Sequence, residues 1–142
     1  MINDISLLID LKNSWISSNG RLVCNIYFSF DNLVYPSKTW HDFVEVILNW
    51  WLIELSKRKK IYNLYFMDGP YELTAKFLDN DLVEIYFDNE HPVICNTKSL
   101  VKSIINASNK LLKKYIKDGF NEKSIDILKD NIDKVIKMYK IH

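Results

Sequence analysis

Four groups of residues in this 142-residue chain are of types that can do chemistry. Trp40-His41-Asp42 sets an imidazole beside a carboxylate, as a general base and its orienting group require. His91 and Cys95 set a base and a thiol on one short stretch. Lys102, Lys110, Lys113, Lys114 and Lys117 offer cations to a polyanion. Between residues 68 and 90 the acids are Asp68, Glu72, Asp79, Asp81, Glu84, Asp88 and Glu90, seven against Lys76 alone.

Spacing weakens the first three. Neighbours on a helix do not face each other, so His41 and Asp42 are poorly placed to pair, and Asp42 reads more simply as a favourable charge at a helix start. Cys95 reads as an inert residue before a helix. The lysines come without arginine or interleaved aromatics, which is the pattern of a solvated helix face and not of a direct nucleic-acid contact. His41, His91 and His142 are far apart, with no second His at i+4 and no Cys pair, so no metal site is expected. Gly20, Gly69 and Gly119 are each isolated, which leaves no phosphate loop and no nucleophile elbow. The chain is therefore expected not to be an enzyme and to need no cofactor. The rival readings are a small cytoplasmic enzyme using His41 or the His91/Cys95 loop, and a housekeeping scaffold or regulator that binds through the lysine face.

The acidic tract says more. Sheet edges carry charge to prevent aggregation, but Lys is favoured in that role. A concentrated acidic patch suits a basic protein partner, because complementary potentials speed association and select the partner. The seven acids are the expected partner-binding residues. The formal charge of +1 hides a wider asymmetry: residues 1–97 carry 8 Lys/Arg against 13 Asp/Glu, and residues 98–142 carry 11 Lys against 5 Asp/Glu.

The elements that must position these residues follow from periodicity. Segments 5–16 and 21–31 alternate about Ser17-Ser18-Asn19-Gly20, and Asn-Gly signals a tight hairpin. A type I′ turn there pairs Leu11 with Phe28, Ile9 with Phe30 and Trp15 with Cys24. Residues 31–39 connect to a helix from Trp40 to Ser56, the centre of the fold. Trp40, Phe43, Val44, Ile47, Trp51 and Leu55 form one apolar stripe on it, and Val46, Trp50 and Ile53 a second. A helix apolar over most of its circumference is expected to be buried on most sides, with Trp50 and Trp51 both structural.

Ile61–Met67 reads as a strand, Asp68-Gly69-Pro70 as a turn, and Tyr71–Leu78 and Leu82–Asp88 as two further strands. Matching their apolar faces makes Asp79-Asn80-Asp81 a three-residue loop. That register sets Lys76 opposite Glu84, and Glu72 opposite Asp88, a like-charge pair that a cation would relieve. Residues 89–96 read as a loop. A helix from Asn96 or Thr97 to Lys117, closed by Gly119, and another over Glu122–Tyr139 make a C-terminal helical hairpin.

The order β-β-α-β-β-β-α-α describes an α+β fold. Its largely antiparallel five-stranded sheet carries a Trp-rich central helix packed between the sheet and the helical hairpin. A single domain over residues 1–142 fits this length. Cys24 reads as a small buried hydrophobe, and two distant cysteines make no disulfide framework. The N-terminus has no signal-peptide pattern and no long uncharged apolar run occurs, so a cytoplasmic protein with no membrane contact is expected.

One run resembles a known family. Tyr35-Pro36-x-x-x-Trp40-x-Asp42-Phe43-x-x-x-Ile47-Leu48-x-Trp50-Trp51, followed by Phe66-Met67-Asp68-Gly69-Pro70-Tyr71, is similar to small bacterial immunity proteins encoded beside polymorphic or contact-dependent growth inhibition toxins. The likeness covers about residues 28–77. It implies a cytoplasmic, non-catalytic protein that binds a cognate toxin domain, often a nuclease, and blocks it. Partner-binding residues in that family vary with the toxin, so the resemblance assigns no site. The quoted residues read as core and turn.

Overall fold

The computed structural model describes residues 2–88 and 91–141. The expected α+β class holds, and so does the C-terminal helical hairpin. The single five-stranded sheet does not: the strands form two antiparallel sheets, one of five strands and one of four.

The first sheet is built around β3 (Leu22–Phe30). On one side lie β1 (Ile5–Ile9) and β2 (Trp15–Ile16). On the other lie β4 (Leu33–Tyr35) and β5 (His41–Phe43). β1 and β2 form the expected hairpin with β3, but in a different register. Leu7 meets Phe28, Ile5 meets Phe30, and Trp15 meets Val23. A 3-10 turn at Leu11–Asn13 interrupts the strand. The Asp10 carboxylate holds it by accepting the Asn13 backbone N–H at 3.3 Å and side-chain amide at 2.8 Å. The turn adds residues to one strand only, so the ladder shifts between its two halves. The hairpin loop also differs from a type I′ turn. Ser17 N–H donates to Arg21 O at 2.8 Å around Ser18-Asn19-Gly20, and among these three Gly20 alone has positive φ, at 81°. This is the three-residue loop in which one glycine takes the left-handed position.

The second sheet is a meander of β6 (Ile61–Tyr65), β7 (Glu72–Phe77), β8 (Leu82–Tyr86) and β9 (Val93–Asn96). The β7–β8 register is the expected one, with Lys76 opposite Glu84. Leu78 N–H closes on Leu82 O at 2.8 Å around a loop in which Asn80 and Asp81 are left-handed, at φ 67° and 59°. Two expectations fail here. Glu72 does not face Asp88, because the ladder ends at Thr74↔Tyr86 and Asp88 leaves the strand at φ 51°; Glu72 pairs instead with Tyr65. The expected loop at 89–96 contains strand β9, whose inward Val93 and Cys95 are too few to show a periodicity.

The central helix, α1, runs Val44–Leu55 and is shorter than expected, because residues 41–43 pair with Val23–Asn25 as β5. It packs against both sheets and both other helices. Of its expected first stripe, Val44, Ile47, Trp51 and Leu55 are buried together with Leu48 and Leu52, whereas Trp40 and Phe43 precede the helix and are half-buried. Its second stripe is not: Trp50 and Ile53 are each 44% exposed. The helical hairpin is α2 (Thr97–Asp118) and α3 (Glu122–Tyr139). Gly119, left-handed at φ 65°, ends α2. The Asn121 carboxamide caps α3 by accepting the N–H groups of Lys123 and Ser124.

Among the described residues no strand ladder joins the two sheets; an aromatic seam does, with a backbone bond from Asn3 N–H, just before β1, to Ile94 O of β9 at 2.7 Å. Phe30 stacks on Phe87 at 5.3 Å, Tyr35 meets Phe66 and Phe87, and Trp40 meets Tyr71 edge-on at 4.9 Å. The Tyr35 hydroxyl donates to Glu72 O at 3.0 Å and accepts from Glu72 N–H at 3.1 Å. The high aromatic content thus serves the seam as much as the helix.

Candidate interaction surface

Asp42 is the polar centre of the seam, not a free charge at a helix start. It is 1% exposed. One carboxylate oxygen accepts the Trp40 indole N–H at 3.0 Å and the backbone N–H groups of Met67 and Asp68 at 3.1 and 3.3 Å. The other accepts Phe43 N–H at 2.7 Å. Four N–H donors satisfy a buried carboxylate without a cation. Gly69 is needed beside it, since a Cβ there would lie 2.6 Å from Trp40 Cη2. Seven of the residues quoted for the resemblance, Trp40, Asp42, Phe43, Met67, Asp68, Gly69 and Tyr71, therefore meet in one structural joint that ties β5 to the β6–β7 turn, while Ile47, Leu48 and Trp50 lie elsewhere on α1.

The residues of the enzyme reading are dispersed. His41 is exposed on β5 and packs edge-on against Trp15 at 4.9 Å, while Asp42 points inward. Cys95 is fully buried on β9, and burial pushes its thiol up to about 11. Cys24 is likewise buried and pushed up to about 12. Thiols held neutral in the core are poor nucleophiles. His91 is exposed in the loop before β9. Among the described residues no group of three or more His, Cys, Asp or Glu could hold a metal ion.

The acidic residues lie on and around the outer face of the meander. Its inner face, with Tyr62, Leu64, Leu73, Ala75, Val83 and Ile85, is buried. Its outer face is uncovered and presents Tyr65, Glu72, Thr74, Lys76, Glu84 and Tyr86. Glu72 and Glu84 project from this face, and Glu84 accepts a hydrogen bond from the Tyr86 hydroxyl at 3.2 Å. Asp68 in the β6–β7 turn and Asp88 after β8 lie at the same end as Glu72. Asp79 and Asp81 lie at the other end, where Asp81 O accepts the first N–H of α2 from Thr97 at 2.8 Å. The six residues of β7 separate the two groups by about 20 Å. The acids form an interrupted strip on one layer, with Tyr65, Tyr86 and Lys76 between them. Glu90 lies outside the described residues.

A second feature was not expected from the sequence. The outward stripe of α1 and the edge strand β6 enclose an open groove of about 400 Å³, lined by Trp50, Ile53, Glu54, Lys57, Lys59 and Tyr65 among others. Trp50 also forms a wall of a larger open cleft of about 670 Å³, with Arg21, Glu45, Met67 and Asn121. The free edge of β6 is partly capped. Glu54 accepts Asn63 N–H at 3.2 Å, and the Trp51 indole donates to Tyr65 O at 2.8 Å. Burial alone would raise the Glu54 carboxyl. Lys59 at 2.7 Å, the Asn63 N–H and Lys57 at 3.5 Å outweigh it and lower the group from its ordinary value. The signal for this surface was present: Glu45, Asn49 and Glu54 bracket Val46, Trp50 and Ile53 on the helix circumference.

On α2, Lys102, Lys110, Lys113 and Lys117 are exposed, and Lys114 pairs with Asp118 at 3.0 Å one turn on. Such pairs contribute little. Among the described residues no helix is long and apolar enough to cross a membrane. No family model, curated protein or solved structure matches the chain.

Proposed function

We propose that this protein is a non-catalytic, cytoplasmic immunity protein that binds and neutralises a cognate bacterial toxin domain. The observation that carries the reading is the uncovered outer face of the β6–β9 meander, with Asp68, Glu72, Asp79, Asp81, Glu84 and Asp88 on it or on its flanking loops. The likeness of residues 28–77 to immunity proteins supports the same class. A toxin that acts on nucleic acid is basic where it holds its substrate. An acidic strip on a rigid sheet, with tyrosines between the carboxylates, offers that site a substitute for the polyanion. Tyrosines supply contact area at low entropic cost, and the carboxylates supply steering.

The reading is tested by expressing the cognate toxin domain that the proposal requires in a bacterial host, with and without the protein. Growth restored by the wild-type protein, and lost again when Glu72 and Glu84 are both changed to Lys, supports it. A toxic domain that the wild-type protein leaves active sinks it.

A further inference from the structure

The groove at Trp50 has a polarity that suggests its occupant. Glu54 of α1 meets Asn63 of β6, and Trp51 meets Tyr65, so the helix and the edge strand run antiparallel. The groove accordingly has two distinct ends. At one end lies the α1–β6 loop, where Lys57 and Lys59 line the groove and share the single carboxylate of Glu54 at 3.5 and 2.7 Å, leaving two cations against one acid, while Arg58 and Lys60 line a separate cleft with Tyr62 and Tyr139. At the other end lie Met67 and Asp68, with Glu72 beside Tyr65 in the ladder and Glu45 in the adjoining cleft. Arg21 also reaches that end, with its guanidinium 4.0 Å from Met67 Sδ, so three carboxylates stand there against one cation. Between the ends the surface is apolar: Trp50 and Ile53 are 44% exposed, Tyr65 51% and Met67 39%.

We propose that this face is an isologous interface between two copies of the chain. A surface with opposite charge at its two ends and an aromatic centre is complementary to itself after a two-fold rotation about the centre. The rotation lays each basic loop over the partner copy's Asp68–Glu72 end and brings the two Trp50 side chains together. Exposed apolar surface with a polar rim marks an interaction site, and a central Trp is the residue type that anchors one. The formal charge of +1 leaves little mutual repulsion to overcome. Contact is made by side chains and not by strand addition, because Glu54 and Trp51 already occupy backbone groups on the outer edge of β6. The contact covers Asp68, Glu72 and Tyr65, which also belong to the proposed toxin-binding face, so a second copy and a toxin exclude each other there; the test contains no toxin, and its outcome is therefore read separately from that of the toxin reading.

The experiment is sedimentation equilibrium of the full chain from micromolar to millimolar concentration. Dimers are expected. Trp50→Ser should weaken them about thirtyfold or more, while thermal unfolding stays close to wild type. Lys57→Glu and Asp68→Lys should each weaken the dimer, and the two together should recover most of the loss, since the rotation brings the Lys57 end of one copy to the Asp68 end of the other. A wild-type chain that stays monomeric throughout overturns the proposal. So does a dimer indifferent to Trp50→Ser, or a charge exchange that dimerises worse than either single change.

Discussion

The Asp42 carboxylate accepts the backbone N–H of Met67 at 3.1 Å, joining the last strand of one sheet to the first turn of the other. Among the described residues no strand ladder joins the two sheets, so this contact, the Asp68 N–H beside it, the Tyr35–Glu72 pair and the Asn3 N–H on Ile94 O together fix how they meet. The bond explains why Asp42 is buried and why His41 is not. Adjacent residues on β5 point to opposite faces, and the face of Asp42 is the one turned to the seam.

Asp42→Asn tests that role with a near-isostere. Both carboxylate oxygens accept N–H donors, so the amide nitrogen of asparagine faces a donor in either orientation. The variant should lose about 1.5–3 kcal/mol of stability, the range for a charge-assisted bond or an unsatisfied buried group. Urea unfolding with an unchanged m-value would measure it. Equal stability of wild type and variant would mean that the seam does not depend on this carboxylate.

The two adjacent tryptophans of α1 should behave differently. Trp51 is 1% exposed, stacks on Phe28 at 5.3 Å and donates to Tyr65 O. Trp51→Ala should cost about 3–5 kcal/mol, a large part of a domain's stability. Trp50→Ala, at a side chain 44% exposed, should cost about 1 kcal/mol or less. Thermal unfolding of both variants checks the ordering, and a reversed order would turn α1 about its axis.

Cys24 and Cys95 should both resist thiol reagents in the native state and react on unfolding. Their folded thiols are raised by burial from 9.0 to about 12 and about 11. The unfolded chain therefore releases these protons first as pH rises. The stability tied to the neutral thiols is complete below pH 9.0 and is lost as pH climbs through the folded values. Unfolding followed from neutral pH to pH 10 should show the decline, and Cys24→Ser/Cys95→Ser should flatten it. Rapid labelling of either thiol in the folded protein would contradict their burial.

Glu54 supplies the opposite limit. Its folded carboxyl is lowered below the ordinary 4.5, so its contribution is present above that value and is lost as pH falls through the lower folded value. Glu54→Gln should destabilise the protein at neutral pH, and the gap from wild type should close in acid. A gap that stayed constant to pH 3 would mean that charge is not what Glu54 contributes.

Much of this architecture was legible locally. The Tyr71–Asp88 hairpin could be read from face matching because its loop is short and its strands are unbroken. Gly119 and the two terminal helices could be read because capping and period are local signals. The Ile5–Phe30 hairpin was legible in pairing but not in register, since the turn at Leu11–Asn13 is made by Asp10 and Ser14 side chains that alternation does not report. β4, β5 and β9 are 3 or 4 residues long, too short to show a period, and exist because a longer strand lies beside them. The split into two sheets depends on contacts such as Asp42 with Met67, 25 residues apart. The acidic residues were legible as a tract but not as two groups at either end of β7. The exposure of Trp50 was hidden by its neighbour, because a Trp-Trp pair reads as core until the helix is rotated into place.

The most direct test of the proposed activity is the association rate between this protein and the cognate toxin domain that the proposal requires, measured by stopped flow across ionic strength. Steering by the acidic strip predicts a rate that falls as salt rises, since screening shortens to about 8 Å at physiological ionic strength. It also predicts that the combined Glu72→Lys, Glu84→Lys and Asp88→Lys variant associates more slowly while remaining folded, because all three side chains lie outside the core. Lys110→Glu with Lys113→Glu and Lys114→Glu should change little. A rate insensitive to the first set and reduced by the second would contradict the account and move the interface to the helical hairpin. No association with that domain at any salt concentration would contradict the immunity function itself.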